Sequence, residues 1–279
     1  MSELRRSATC RGRWGLEANI PGVAADRRWH FPLSGAQVIL LADNVFHAES
    51  RGAMVADTAV LMIDMQNGYL TQKVRAPLGW PPIWRLHEVV AECAELLAAA
   101  RAARYPVIYS RQTLSPAGEL AANPRARRHM QSRARLLPDI SEAEQQWSRR
   151  IMDDLAPTEG DIVLEKTRHS FFAYTELAPV LRALAVQGVL IAGLQTNVCV
   201  EATCRAALEH NFDVAVAEDA TTTDGPALHE AALNAMRVLY VEVRPWRELL
   251  TQPWDKAYRT PNYGRDPNYW RDPHNLTHP

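Results

Sequence analysis

The chain has 279 residues, 47% of them hydrophobic and 23% charged, with 31 Lys and Arg against 32 Asp and Glu. That composition excludes wholesale disorder, and a formal charge of -1 leaves no footprint for nucleic acid or an anionic membrane. No apolar run reaches the ~20 residues of a membrane span.

Residues 1–55 are irregular in composition and read as an N-terminal extension. Met1 to Arg28 is basic without an apolar stretch, so no secretory signal is expected. Val38-Ile39-Leu40-Leu41 fits either a strand or a buried helical turn. From there the pattern becomes regular. Six short apolar runs follow: Ala59–Ile63, Val107–Tyr109, Ile162–Leu164, Val189–Ala192, Val214–Ala217 and Val238–Val241. Short, continuous and β-branched runs mark parallel strands buried on both faces. Helical periodicity separates them, over Ile83–Arg104, Glu176–Val186, Val198–His210 and Ala227–Arg237, with Asn211 as a left-handed stop. A further helix is expected over Ser141–Leu155, opened by Ser141 with Glu144 three positions on. Strand–helix alternation predicts an α/β fold of three layers around a parallel sheet. A doubly wound enzyme domain needs roughly 180–200 residues. The surplus therefore lies at the ends, and the domain is expected over 56–250. Residues 251–279, rich in Pro, Trp and Tyr, read as an arm that packs on a surface, a subunit interface or the pocket mouth.

Ligands of such folds bind at the carboxyl ends of the strands. Three chemistry-bearing residues stand there. Asp64 follows the first run, Lys166 the third, and Cys199 opens the helix after the fourth. Singly, each has an ordinary reading: a capping Asp, a solvated Lys, a small buried Cys. Together they supply what nucleophilic hydrolysis of an amide needs. The carboxylate takes the thiol proton and returns it to the leaving nitrogen, the ammonium steadies the thiolate, and helix N–H groups receive the oxyanion. The helix N-terminus is expected to lower the Cys199 thiol pKa. The other cysteines, Cys10, Cys93 and Cys204, suggest no disulfide framework or metal knuckle, and a reducing cytoplasm is the default compartment.

Asp64-Met65-Gln66-Asn67, Lys166 with Arg168-His169-Ser170-Phe171, and Thr196-Asn197-Val198-Cys199-Val200-Glu201-Ala202-Thr203 resemble the isochorismatase-like cysteine hydrolases. Glu218-Asp219-Ala220 also fits that pattern, and the resemblance spans roughly Ala56 to Leu249. It implies a six-stranded parallel sheet in the Rossmann-like order 3-2-1-4-5-6 and a triad of Asp64, Lys166 and Cys199. It also implies a cis peptide at Leu194–Gln195, with the N–H groups of Gln195 and Cys199 forming the oxyanion hole. Ser110-Arg111-Gln112-Thr113 lacks the paired His residues of the metal-binding nicotinamidases, so no metal and no other cofactor is expected. Gly160-Asp161-Ile162-Val163-Leu164 and the Cys199 motif look most like ureidoacrylate, biuret and N-carbamoyl amidohydrolases, with streptothricin hydrolase as another branch. Members that cleave the isochorismate vinyl ether typically lack the Cys. The expected activity is therefore hydrolysis of a non-peptide C–N bond in a small amide, ureide or lactam, with water as co-substrate. The competing readings are a vinyl-ether hydrolase and a non-catalytic binding or assembly member.

Gln66, Asn67, Arg111, Gln112, Arg168, Phe171 and Tyr174 sit beside these strand ends and are the candidate substrate contacts. Phe171 and Phe172 read equally well as core. Arg125, Arg127, Arg128, Arg133 and Arg135 form a basic cluster that reads as a solvated helix face or as an attractor of acidic substrate. The resemblance implies a homodimer or homotetramer.

Overall fold

The computed structural model describes residues 9–11, 17–19, 28–33, 36–41, 57–113, 124–137, 139–239, 241–252 and 254. The chain divides into two compact units, Met1–Gly52 and Ala53–Pro279. In the first, β1 (Thr9–Arg11) pairs antiparallel with β2 (Glu17–Asn19), and β3 (Arg28–Leu33) with β4 (Ala36–Leu41). The apolar run at 38–41 is thus a strand and not a helical turn.

The second unit holds one sheet of six parallel strands. They are β5 (Thr58–Ile63), β6 (Val107–Gln112), β7 (Ile162–Lys166), β8 (Gly188–Leu194), β9 (Asp213–Thr222) and β10 (Glu242–Arg244). Their spatial order is β7-β6-β5-β8-β9-β10, the 3-2-1-4-5-6 arrangement. Its described helices include α1 (Leu86–Ala102), α2 (Pro124–Leu136), α3 (Glu142–Arg149), α4 (Leu177–Ala183), α5 (Glu201–Glu209), α6 (Pro226–Arg237) and α7 (Trp246–Thr251).

Side-chain alternation along β5 builds the three layers. Val60 and Met62 point to the face where Val89, Cys93, Leu96 and Leu97 of α1 pack with Trp246 and Leu249 of α7. Ala59, Leu61 and Ile63 point to the opposite face, against Leu177 and Leu181 of α4, Cys204 and Ala207 of α5, and Leu233 and Met236 of α6. Every residue of β5 and β8 is buried, which explains their unbroken apolar sequences. Within the described residues no helix is long and apolar enough to cross a membrane.

Three expected elements shift. The run Val238–Val241 is not the sixth strand. Val238 N–H still bonds to Asn234 and Leu239 N–H to Met236, so these residues close α6. The strand is Glu242-Val243-Arg244, an edge whose charged residues pair with each other and do not read as a buried parallel strand. The helix expected over Ser141–Leu155 has its capping box but ends at Arg149. There the chain turns to join the loop after β5: Asn67 N–H donates to Arg150 O, and Met152 N–H to Met65 O. The helix expected from Glu176 covers only Leu177–Ala183, where Ala185 takes a left-handed φ of 54°. Asn211, with φ 65°, is left-handed as expected.

Of the C-terminal arm, only Thr251, Gln252 and Trp254 are among the described residues. Trp254 donates from its indole to Leu249 O at 2.9 Å. Its ring lies 2.9 Å from where a Cβ on Gly188 would stand.

Gly193 ties β8 to β5. Its φ is +107°, and a Cβ there would lie 2.2 Å from Ile63 O and 2.7 Å from Ile63 N. Both the dihedral and the contact exclude a side chain, and both neighbours are backbone that cannot swing aside. Gly193→Ala is expected to destabilise the fold by at least about 3 kcal/mol, read as a lower urea midpoint at unchanged slope. A midpoint within error of the wild type would contradict this packing.

Candidate active site

The sheet order reverses between β5 and β8, and the site lies at the carboxyl ends of the strands around that point. Asp64 follows β5 directly, with a positive φ of 49°. Lys166 is the last residue of β7 and reaches past the end of β6. Its Nζ lies 2.6 Å from Asp64 Oδ2, and neither side chain has any exposure to solvent. The same ammonium donates to Gln112 Oε1 at 2.7 Å and to Arg168 O at 2.9 Å. Asp64 Oδ1 accepts from Ser110 Oγ at 2.6 Å, and that hydroxyl accepts from Asp64 N–H at 3.1 Å. Oδ2 is the carboxylate oxygen that faces the Lys166 ammonium.

Cys199 lies in a π-helical turn, Thr196–Val200, that leads from β8 into α5. The turn follows a cis peptide between Leu194 and Gln195. Gln195 O accepts from both Val198 N–H and Val200 N–H, at 3.0 and 3.1 Å. The Gln195 side chain donates to Asp224 Oδ1 at 2.7 Å, and Asp224 is paired with the buried Arg75. Thr203 Oγ1 donates to Cys199 O at 2.6 Å.

Cys199 is buried, with 6% of its surface exposed. Burial pushes its pKa up to about 12, the Asp64 carboxylate pushes in the same direction, and Lys166 opposes both. The expected lowering by a helix N-terminus is therefore overruled: desolvation disfavours a thiolate more than the turn favours it. The resting group is a neutral thiol beside a carboxylate and an ammonium. His169 Nδ1 lies 3.8 Å from Cys199 Sγ. Burial first, and then Lys166, holds the His169 imidazole below its usual pKa and so favours its neutral form.

The Isochorismatase domain model matches residues 58–248. The chain belongs to the isochorismatase family. It is 34% identical over 197 residues to a ureidoacrylate amidohydrolase RutB of Methylorubrum extorquens, covering 67% of this chain and 79% of that protein. To a RutB of Caulobacter vibrioides it is 36% identical over 176 residues, covering 61% and 78%. Among solved structures, it resembles a cysteine hydrolase from Pseudomonas syringae pv. phaseolicola with a TM-score of 0.60 at 25% identity, over 72% of this chain and 93% of that one. N-carbamoylsarcosine amidase from Thermoplasma acidophilum shares the fold, with a TM-score of 0.51 at 22% identity over 68% of this chain and 96% of that one.

Within this isochorismatase-family domain the candidate contacts fall in different places. Gln112 touches Lys166 directly. Gln66 gives its whole amide to the main chain: Nε2 donates to Gln112 O and Arg149 O, and Oε1 accepts from Gln112 N–H. Asn67 Nδ2 donates to Trp147 O at 3.3 Å. Arg111 pairs with Glu165. Arg168 presents its carbonyl to Lys166, while its guanidinium lies 5.0 Å from the ring centre of Tyr174, which is 87% exposed. Phe171 is fully buried in the core. Five site neighbours are not among the residues singled out from the sequence as candidates: Ser110 and His169 described above, the paired Arg75 and Asp224, and Tyr69. Burial, then Asp64 and Cys199, push the Tyr69 phenol pKa upward, so it stays protonated beside them. Among the described residues no group of three or more His, Cys, Asp or Glu side chains is arranged to hold a metal ion.

Because the thiol is neutral at rest, the thiolate fraction grows with every step in pH. Alkylation of Cys199 by iodoacetamide, followed by peptide mass spectrometry, is expected to accelerate about tenfold per pH unit from 7 to 10. A plateau below pH 9 would mean that the thiol is ionised at rest.

Proposed function

We propose that this chain is a cysteine-dependent amidohydrolase acting on a small amide, ureide or lactam through a thioester on Cys199. Its family and its amidohydrolase relatives make it a hydrolase of C–N bonds other than peptide bonds. The observation that supports the finer reading is the Cys199 thiol lying under the opposing influence of Asp64 and Lys166, themselves joined at 2.6 Å.

In this reading Asp64 Oδ2 accepts the thiol proton as Sγ attacks the substrate carbonyl carbon. The N–H groups of Gln195 and Cys199 receive the oxyanion, and Lys166 offsets the charge that passes from thiol to carbonyl oxygen. Asp64 then returns its proton to the leaving nitrogen, the C–N bond breaks, and the amine or ammonia departs. Water enters, gives a proton to Asp64 and attacks the thioester. Collapse of that second adduct expels the thiolate, which recovers its proton from Asp64. The buried thiol suits this cycle, because its proton leaves only as the new C–S bond forms. The ureidoacrylate named for the RutB relatives makes ureides the first substrates to test.

Cys199→Ala and Cys199→Ser are expected to lower ammonia release from 3-ureidoacrylate or other small ureides by at least about 10³-fold. Far-UV circular dichroism and the unfolding midpoint should stay those of the wild type. Turnover by Cys199→Ala at the wild-type rate would overturn the proposal.

A further inference from the structure

Three consecutive residues shortly before Cys199 give their side chains to the end of β9 and the residues after it. Gln195 donates to Asp224 Oδ1 at 2.7 Å, Thr196 Oγ1 lies 3.1 Å from Thr221 Oγ1, and Asn197 Oδ1 accepts from Thr223 Oγ1 at 2.6 Å. The middle contact belongs to a longer chain. Thr196 Oγ1 also lies 2.9 Å from Nδ1 of His229, in the first turn of α6, and Thr221 Oγ1 donates to Gly193 O at 2.7 Å. Thr196, Thr221 and His229 are all buried. Gln195 is therefore bracketed: the chain holds the main chain two residues before it and the side chain of the residue after it.

Counting protons fixes the direction of this chain. Its three contacts need one proton each, Gly193 O has none to give, and each hydroxyl has one. Thr221 spends its proton on Gly193 O, so the contact between the hydroxyls takes the proton of Thr196. The last proton has to come from His229 Nδ1–H. The other neutral tautomer would set lone pair against lone pair at one of the three buried contacts. Burial holds the His229 imidazole below its usual pKa, with Glu230 opposing and Arg85 and Arg237 assisting. The ring is then neutral, and its tautomer is a real choice. Its orientation is supported as well. The Trp84 ring packs against it at 5.5 Å between centroids, and Trp84 O accepts from Thr222 Oγ1 while Trp84 N–H donates to Thr223 O.

We propose that His229 is a positioning residue for the chemistry at Cys199. Its Nδ1–H sets the direction of the hydroxyl chain, and the chain holds the N–H groups of Gln195 and Cys199 toward the carbonyl oxygen of the substrate. This inference rests on the oxyanion role proposed for those N–H groups and adds a residue that works through Thr196 and Thr221 without touching the substrate. The aim of an oxyanion donor matters only when negative charge builds on oxygen. Loss of the chain should therefore appear in acyl transfer to Cys199 and not in its alkylation.

The test uses two reagents that meet the same thiol by different routes. With 4-nitrophenyl acetate, Sγ bonds to the carbonyl carbon, an oxyanion forms, and 4-nitrophenolate leaves as the thiol proton passes to Asp64. With iodoacetamide, Sγ displaces iodide at a saturated carbon and no oxyanion forms. Second-order rate constants at Cys199, read by peptide mass spectrometry, are compared in wild type, His229→Phe and His229→Asn at one pH. His229→Phe keeps a ring against Trp84 but has no donor. It is expected to slow acylation about tenfold and to leave alkylation within about twofold. His229→Asn, whose amide N–H can stand where Nδ1–H stood, should recover most of the acylation rate. Unchanged acylation in His229→Phe, an equal loss of both reactions, or no recovery in His229→Asn would overturn the proposal. Should His229→Phe fail to fold, the nitrogen NMR spectrum of the wild type decides: His229 should carry its proton on Nδ1 at neutral pH, and a bare Nδ1 with a protonated Nε2 overturns the chain at its first link. None of these readouts needs turnover, so the positioning role and the hydrolase mechanism fail separately: acylation that ignores His229 strikes the first, turnover by Cys199→Ala the second.

Discussion

A carboxylate and an ammonium with no solvent exposure, 2.6 Å apart, are the constraint around which the strand ends are arranged. Taking two charges out of water costs several kcal/mol per ion, so the pair persists only if its remaining donors and acceptors are met. Their partners are supplied by β6 and by the segment after β7. Ser110 on β6 serves Asp64 after β5, while Gln112 on β6 and the carbonyl of Arg168 beyond β7 serve Lys166. Ile63 stands opposite Ser110, and Gln112 opposite Lys166. A slip of one residue would turn these side chains to the other face and leave a buried charge alone. The site therefore specifies the sheet register as firmly as the sheet positions the site.

The nucleophile comes from the other side of the switch point and is held by backbone. Gly193 lets β8 close on Ile63, the cis peptide redirects the chain, and the π-helical turn seats Cys199 in the buried corner beside the pair. Burial keeps the thiol protonated, and the carboxylate beside it works against ionisation as well. Such a thiol is quiet toward stray electrophiles. It becomes a nucleophile when its proton can pass to Asp64 during attack, which couples reactivity to the presence of a carbonyl in the site.

Much of this is legible from residue order alone. The buried strands at 59–63 and 189–192 announce themselves because both of their faces are covered. Asp64 and Lys166 are visible because a polar residue closing such a run marks a strand tip, and Cys199 because it opens the helix after the fourth run. The charged edge strand at 242–244 is not visible, since a one-sided edge lacks the apolar signature, and the end of α6 carries that signature in its place. Ser110 and His169 are ordinary residues until register brings them to Asp64 and Cys199, from 46 and 30 positions away. Gln66 shows the converse. Its place beside Asp64 suggests a ligand contact, yet its amide is spent on three main-chain groups that join the β6 end to the last residue of α3. Arg133 reads as one of a set because composition does not distinguish a guanidinium 5.7 Å from the centre of the Trp80 ring from its exposed neighbours.

Trapping the covalent intermediate tests the central claim most directly. Wild-type protein mixed with excess 3-ureidoacrylate, quenched in acid on the millisecond scale and digested, should show the peptide containing Cys199 heavier by the acyl fragment of the substrate. The adduct should rise before product and decay as substrate is exhausted, with no counterpart on Cys93 or Cys204. Full product formation with Cys199 unmodified at every time point would contradict a thioester route.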